Sequence, residues 1–316
     1  MTAAVAVADL RVVYGDKVAV DGISLDVAHG EIFGIVGPNG AGKTSTIECL
    51  EGLRRPAGGT LRVLGLDPQR ERRQVQKRIG CQLQESNLPD RLKVWEALEL
   101  FASFYPRSAD SRQLLEALDL QDKRTASYRQ LSGGQKQRLF IALALVGDPE
   151  LVFMDELTTG LDPHARRDMW KLVLDIRDSG KTVVLSTHYM EEAERLCDRV
   201  AIVDGGRLIA LDTPAGLVGK LGGEEVAVLT VEGEADPALL ARLEGVTKVD
   251  ALGRTIRVQG RGQKLVATAV SALAAAGFQV TEAHNEKRTL EDVFLGLTGR
   301  RSQSGEGPEG RGRQQD

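Results

Sequence analysis

Three short stretches carry residues suited to phosphate chemistry: "GPNGAGKTS" at 37–45, "LSGGQKQRL" at 131–139 and "LVFMDE" at 151–156. In the first, Gly37, Pro38, Asn39, Gly40, Ala41, Gly42, Lys43, Thr44 and Ser45 cover the spacing G-x-x-x-x-G-K-[ST], after an apolar run and before a helical pattern. Glycines let successive backbone N–H groups turn toward an anion, and a helix start adds a partial charge of about +0.5. Lys43 is placed for the β and γ phosphates of a nucleotide and Thr44 for Mg²⁺. Such a site also needs a carboxylate at the end of a buried strand. Asp155 suits the metal, through water, and Glu156 suits a general base for an attacking water. In the remaining stretch Ser132 is placed to cap a helix, and Gly133 and Gly134 permit close backbone approach. That is a second helix start ready for an anion, and a chain with one nucleotide site has no evident use for it.

The elements around these stretches indicate an α/β class. "LRVVY", "EIFGIVG", "LVFMDE", "TVVLSTH" and "RVAIVDGG" read as strands, several apolar on both faces, and helical patterns separate them. This predicts a mainly parallel sheet covered on both sides, in a domain over 1–222. Strand signals vanish over about 85–150, where "VWEALELFASFY" and "SRQLLEALDL" predict an inserted helical subdomain. From 224 the order becomes βαββαβ, which predicts a small α+β, ferredoxin-like domain over 224–298. "TLED" before "VFLGL" reads as the N-cap of its last helix. The tail, 299–316, is polar and glycine-rich and is expected to be disordered.

With 316 residues, 42% of them apolar, the chain is long enough for a large domain and a smaller one. The 41 basic and 45 acidic residues give a net charge of −4, so no general positive field favours nucleic acid or anionic lipid. The basic run "RERRQVQKR" lacks interleaved aromatics and reads as a solvated helix face. Cys49, Cys81 and Cys197 form no metal-ligand spacing. No stretch reaches the roughly 20 apolar residues of a membrane span, and no signal peptide is evident.

"LSGGQ", shortly before "LVFMDE" and downstream of the phosphate loop, resembles the signature of ABC ATPases. The resemblance implies a P-loop NTPase of the ABC type, cofactors ATP and Mg²⁺, and a head-to-tail homodimer. In that dimer Ser132, Gly133, Gly134 and Gln135 close on nucleotide held by the partner. It further implies that Tyr14 stacks on adenine and that Gln84 senses Mg²⁺ and the attacking water. Asp162, in "GLD", would lie in a loop touching the opposite subunit, and His188 would contact the γ-phosphate. Leu157 stands where the family usually has proline, a residue that stiffens the loop and contributes no reacting group.

The C-terminal "LEDVFLGLTG" with "EIFGIVGPNGAGKT" is similar to ATP-binding subunits of daunorubicin-resistance-type exporters. Their permeases are separate chains. The resemblance implies a peripheral subunit at the cytoplasmic face of the plasma membrane. The alternative is a soluble ABC ATPase acting on nucleic acid or ribosomes. A P-loop kinase has no need of residues 131–135.

Overall fold

The computed structural model describes residues 3–82, 87–220, 225–233, 236–260, 265–286 and 288–299. The expectation for the tail falls outside them. The chain divides into two compact units, one of Met1–Leu217 together with the chain from Leu297, the other of Val218–Gly296.

In the first unit, β1 (Val5–Tyr14) and β2 (Lys17–Val27) bury alternate residues, as half-covered strands do. β3 (Ile32–Val36) is buried throughout and feeds the phosphate loop, after which α1 (Lys43–Leu50) begins. β4 (Gly58–Val63), α2 (Arg72–Gln76) and β5 (Ile79–Gln82) follow. The helical stretch contains α3 (Val94–Ala102), α4 (Ser111–Ala117) and α5 (Gly133–Leu145). The chain then returns to the sheet through β6 (Leu151–Asp155), α6 (Pro163–Asp178), β7 (Thr182–Thr187) and α7 (Met190–Leu196). β8 (Arg199–Asp204), β9 (Arg207–Asp212) and α8 (Pro214–Lys220) complete the run.

Two sheets form. The larger has the order β5-β6-β7-β3-β8-β9 and is parallel except for the antiparallel pair β8–β9. The smaller, β2-β1-β4, is antiparallel. "LRVVY" therefore belongs to the smaller sheet and not to the parallel set; its alternating burial distinguishes it from the wholly buried β3, β6 and β7. One core joins Leu10, Val12 and Ile23 of the small sheet to Phe33, Phe153 and Val184 of the large one, with Ile47 and Leu50 of α1. One face of the parallel sheet is thus covered by a second sheet together with a helix.

The second unit runs β10 (Glu225–Val231), α9 (Ala238–Ala241), β11 (Val246–Leu252), β12 (Thr255–Gly260), α10 (Leu265–Ala275) and β13 (Val280–Glu286). Its antiparallel sheet has the order β11-β12-β10-β13. Leu229, Ile256 and Val258 pack with Leu240, Ala269 and Leu273 of the helices. α9 is a single turn, shorter than "DPALLARLEG" suggests, and the chain then turns toward β11 at Gly245 (φ +83°). α11 (Leu290–Thr298) starts at Thr289, whose N–H donates to Asp292 Oδ2 at 2.8 Å while its hydroxyl accepts from Asp292 N–H at 3.4 Å. Among the described residues no helix is long and apolar enough to cross a membrane.

Candidate active site

The loop after β3 is shaped by close backbone approach. A Cβ on Gly37 would lie 2.1 Å from the Val203 carbonyl oxygen, and one on Gly42 2.6 Å from that of Ala19. Gly42 is also the left-handed N-cap of α1, at φ +102°. These positions admit only glycine. Lys43 is buried, and its ammonium donates to the carbonyls of Gly37 (2.9 Å) and Pro38 (3.1 Å). Burial pulls its pKa below the usual lysine range, opposed chiefly by Glu156 and more weakly by Asp155.

Glu156 sits just past β6 with Oε1 3.5 Å from Lys43 Nζ and 3.5 Å from His188 Nδ1. Its backbone is left-handed, φ +50°, which is uncommon for a residue with a Cβ. The Glu156 N–H donates to the carbonyl (3.1 Å) and hydroxyl (3.2 Å) oxygens of Ser186 on β7. Asp155 is buried and accepts a hydrogen bond from the Ser186 hydroxyl. Parallel β6 and β7 pair Asp155 with Ser186, so the strand ends bring both acids to the phosphate loop.

A cavity of about 410 Å³ is lined by Tyr14, Asn39, Gly40, Gly42, Lys43, Thr44, Ser45 and Glu156, together with Lys17 and Ala19. Tyr14 Oη is hydrogen-bonded to Ser45 Oγ at 2.9 Å, and the Arg54 guanidinium lies 4.2 Å from the ring centroid. Half-exposed and anchored at its hydroxyl, the ring is available for stacking. An anion-binding loop, an aromatic ring and a carboxylate share this space, as binding and hydrolysing a nucleotide would require.

The other helix start lies elsewhere. Ser132 caps α5: its Oγ accepts from Gln135 N–H at 3.3 Å, and Gln135 Oε1 accepts from Ser132 N–H at 3.1 Å. Ser132, Gly133, Gly134 and Gln135 line a separate cavity of about 640 Å³ with Asp162 and His164, and none of its lining residues borders the first. Asp162 caps α6, accepting from His164 N–H (2.9 Å) and Ala165 N–H (3.0 Å), and these bonds hold its carboxyl below the usual range. Gln84 lies outside the described residues.

Leu157, in the place of the family's proline, is buried, and its carbonyl accepts from Gln137 Nε2 at 2.8 Å. Hydrogen bonds to Ser186 and Gln137 therefore fix the segment that a proline ring would stiffen. Sequence reasoning missed Gln137, Ser186 and Arg54, since each acts through a neighbour distant in the chain.

It also missed Glu51, at the end of α1. Glu51 is buried, lines a groove of about 710 Å³ with Leu53, Phe101, Phe104 and Tyr105, and neither oxygen reaches a nitrogen or oxygen hydrogen-bond partner among the described residues. Burial pushes its pKa up to about 7, with the nearby Cys81 thiol relieving the charge only in part. A charged residue four positions after Ile47, on the helix's buried face, was the available signal.

Comparisons with known proteins agree with this geometry. Residues 20–159 match the family model described as ABC transporter. The chain is 42% identical to the daunorubicin resistance ATP-binding protein DrrA3 of Streptomyces coeruleorubidus, over 90% of this chain and 93% of that one. It is 40% identical to the Nod factor export ATP-binding protein I of Ralstonia nicotianae, over 95% of each. Among solved structures it is similar to a dimeric bacterial ABC transporter cassette, with a TM-score of 0.59 and 26% identity, covering 66% of this chain and 98% of that one.

Proposed function

Because this chain belongs to the ATP-binding subunits of ABC transporters, we propose that it works as a dimer, with Mg²⁺-ATP, to drive export through a separately encoded permease. The observation that carries the site assignment is the convergence of Tyr14, Lys43, Thr44 and Glu156 on one cavity, with residues 132–135 on another. The chain is an ATPase. Each nucleotide stacks on Tyr14 and lies along residues 37–45 of one subunit, and the partner's α5 start closes over the γ-phosphate. The second anion-ready helix start is then accounted for by two-fold symmetry, each surface being used reciprocally.

Bound Mg²⁺ would offset phosphate charge. Among the described residues no three His, Cys, Asp or Glu side chains converge as a metal cage. Thr44, exposed at the cavity, and Asp155, buried beside it, suit a cation completed by phosphate oxygens and water. Glu156 accepts the proton of the attacking water. His188, 3.5 Å from that carboxylate, orients it and reaches toward the γ-phosphate. Lys43 moves from the loop carbonyls to the phosphates when they arrive. We assign to Gln84 the role of sensing Mg²⁺ and water.

Relatives named for daunorubicin resistance and for Nod factor export support export as the direction. The permease engages the helical insertion, and the subunit sits peripherally at the cytoplasmic face of the membrane. We take residues 1–222 as the nucleotide-binding domain and 224–298 as a ferredoxin-like accessory domain, a reading that the β11-β12-β10-β13 order supports.

The test is Glu156→Gln. The full-length variant should retain ATP affinity and form an ATP-dependent dimer by light scattering, while its turnover falls by roughly 10²- to 10⁴-fold. Hydrolysis at the wild-type rate would remove Glu156 from the role of base.

A further inference from the structure

The backbone at Glu156 is held in an unfavourable conformation by contacts from two directions. On one side β7 provides the Ser186 carbonyl and hydroxyl for the Glu156 N–H, at 3.1 and 3.2 Å. On the other, the carboxamide of Gln137 donates to the Leu157 carbonyl at 2.8 Å. A left-handed residue other than glycine persists only where its surroundings over-determine it. Leu157 has no ring to fix its own φ, so Gln137 supplies a restraint on the Leu157–Thr158 peptide, one peptide beyond Glu156, that Leu157 itself lacks. Thr159 closes the turn: its N–H donates to the Glu156 carbonyl at 3.2 Å and its hydroxyl to Glu156 Oε2 at 3.3 Å.

Gln137 stands five positions after Ser132 on α5, hence about 7.5 Å along the same rigid helix. The start of α5 faces one nucleotide of the dimer, and Glu156 serves the other. We propose that Gln137 is a positioning residue that sets Glu156 from α5, so that engagement of one nucleotide by residues 132–135 adjusts the base acting on the second. This rests on the dimeric ATPase reading above. A displacement of α5 is passed through a 2.8 Å hydrogen bond to the Leu157 carbonyl, one peptide beyond Glu156.

The experiment compares wild type, Gln137→Met and Gln137→Lys in the full-length chain, with steady-state hydrolysis over a range of ATP concentrations and a thermal midpoint for each. Methionine keeps the length of glutamine and removes the donor; lysine restores a donor. Gln137→Met should lower kcat about 10- to 100-fold, as small misplacements of reacting groups do. It should leave KM for ATP and the thermal midpoint near wild type and reduce the Hill coefficient for ATP toward one, and Gln137→Lys should recover most of the rate. Full activity in Gln137→Met would overturn the proposal. So would a lost rate matched by an equal rise in KM, or a lysine variant no better than methionine, since both describe damage without positioning. Glu156→Gln measured alongside separates the two readings. If it turns over at the wild-type rate, the site assignment fails; if it is inactive while Gln137→Met is fully active, only the coupling fails.

Discussion

Replacing Glu51 with leucine should stabilise the protein, increasingly so as the pH rises from about 4.5 to about 7. The Glu51 carboxyl is buried without a nitrogen or oxygen hydrogen-bond partner among the described residues, and burial pushes its pKa from 4.5 to about 7, opposed by a hydrogen bond with the Cys81 thiol and reinforced by Asp155 and Glu48. A carboxyl whose native pKa is raised binds protons more tightly in the folded state. Stability therefore falls as pH rises from about 4.5, and the full penalty is present above about 7. At about 1.4 kcal/mol per tenfold change in proton affinity, the penalty is on the order of 3 kcal/mol. Glu51→Leu removes it and places an apolar side chain beside Leu53, Ile79 and Phe101. The assay is urea unfolding of wild type and variant at intervals between pH 4.5 and 8.5, reading the difference between them at each pH, since titration of every other group then largely cancels. The difference should grow in favour of the variant up to about pH 7 and then level off. A difference that does not change with pH, or a variant less stable at pH 8, would refute an uncompensated buried charge at this position.

Tyr14→Ala should raise the ATP dissociation constant roughly 5- to 150-fold, the equivalent of about 1–3 kcal/mol of stacking, with kcat at saturating ATP little altered. Tyr14→Phe, which loses only the contact to Ser45, should fall between them in a fluorescent-nucleotide titration. Gly42→Ala should weaken both nucleotide binding and the thermal midpoint, since its Cβ would meet the Ala19 carbonyl at 2.6 Å and its φ is +102°. Gly40→Ala faces open space at φ +79° and should carry only the backbone strain, on the order of 1–3 kcal/mol. Equal effects from the two alanines would mean that the contact with Ala19 is irrelevant.

Much of the site could be read from the sequence because its parts are local. A phosphate loop is a spacing of glycines, and the cap at Ser132 depends on Gln135 three residues on. The apolar runs of β3, β6 and β7 also announce themselves as buried strands. What escaped was contact across the chain. β2 and β4 are strands through their pairing with β1 and bury side chains in the core shared with the large sheet and α1, and β4 carries two glycines that mask its strand character. Gln137 looks like any polar helix residue until Leu157, twenty positions away, is placed against it. Arg54 gains its meaning from the ring of Tyr14, and Ser186 from the parallel register that sets it beside Asp155.

The left-handed backbone of Glu156 has a consequence for anyone seeking a sturdier version of this protein. Glycine or asparagine would rest there more comfortably, so a search that rewards melting temperature alone would be drawn to that position. Its first success would be a protein that survives heating, still holds ATP and no longer spends it. A screen for robust variants of this chain therefore needs turnover as a second criterion from the first round, because folding and chemistry ask for different residues at the same place.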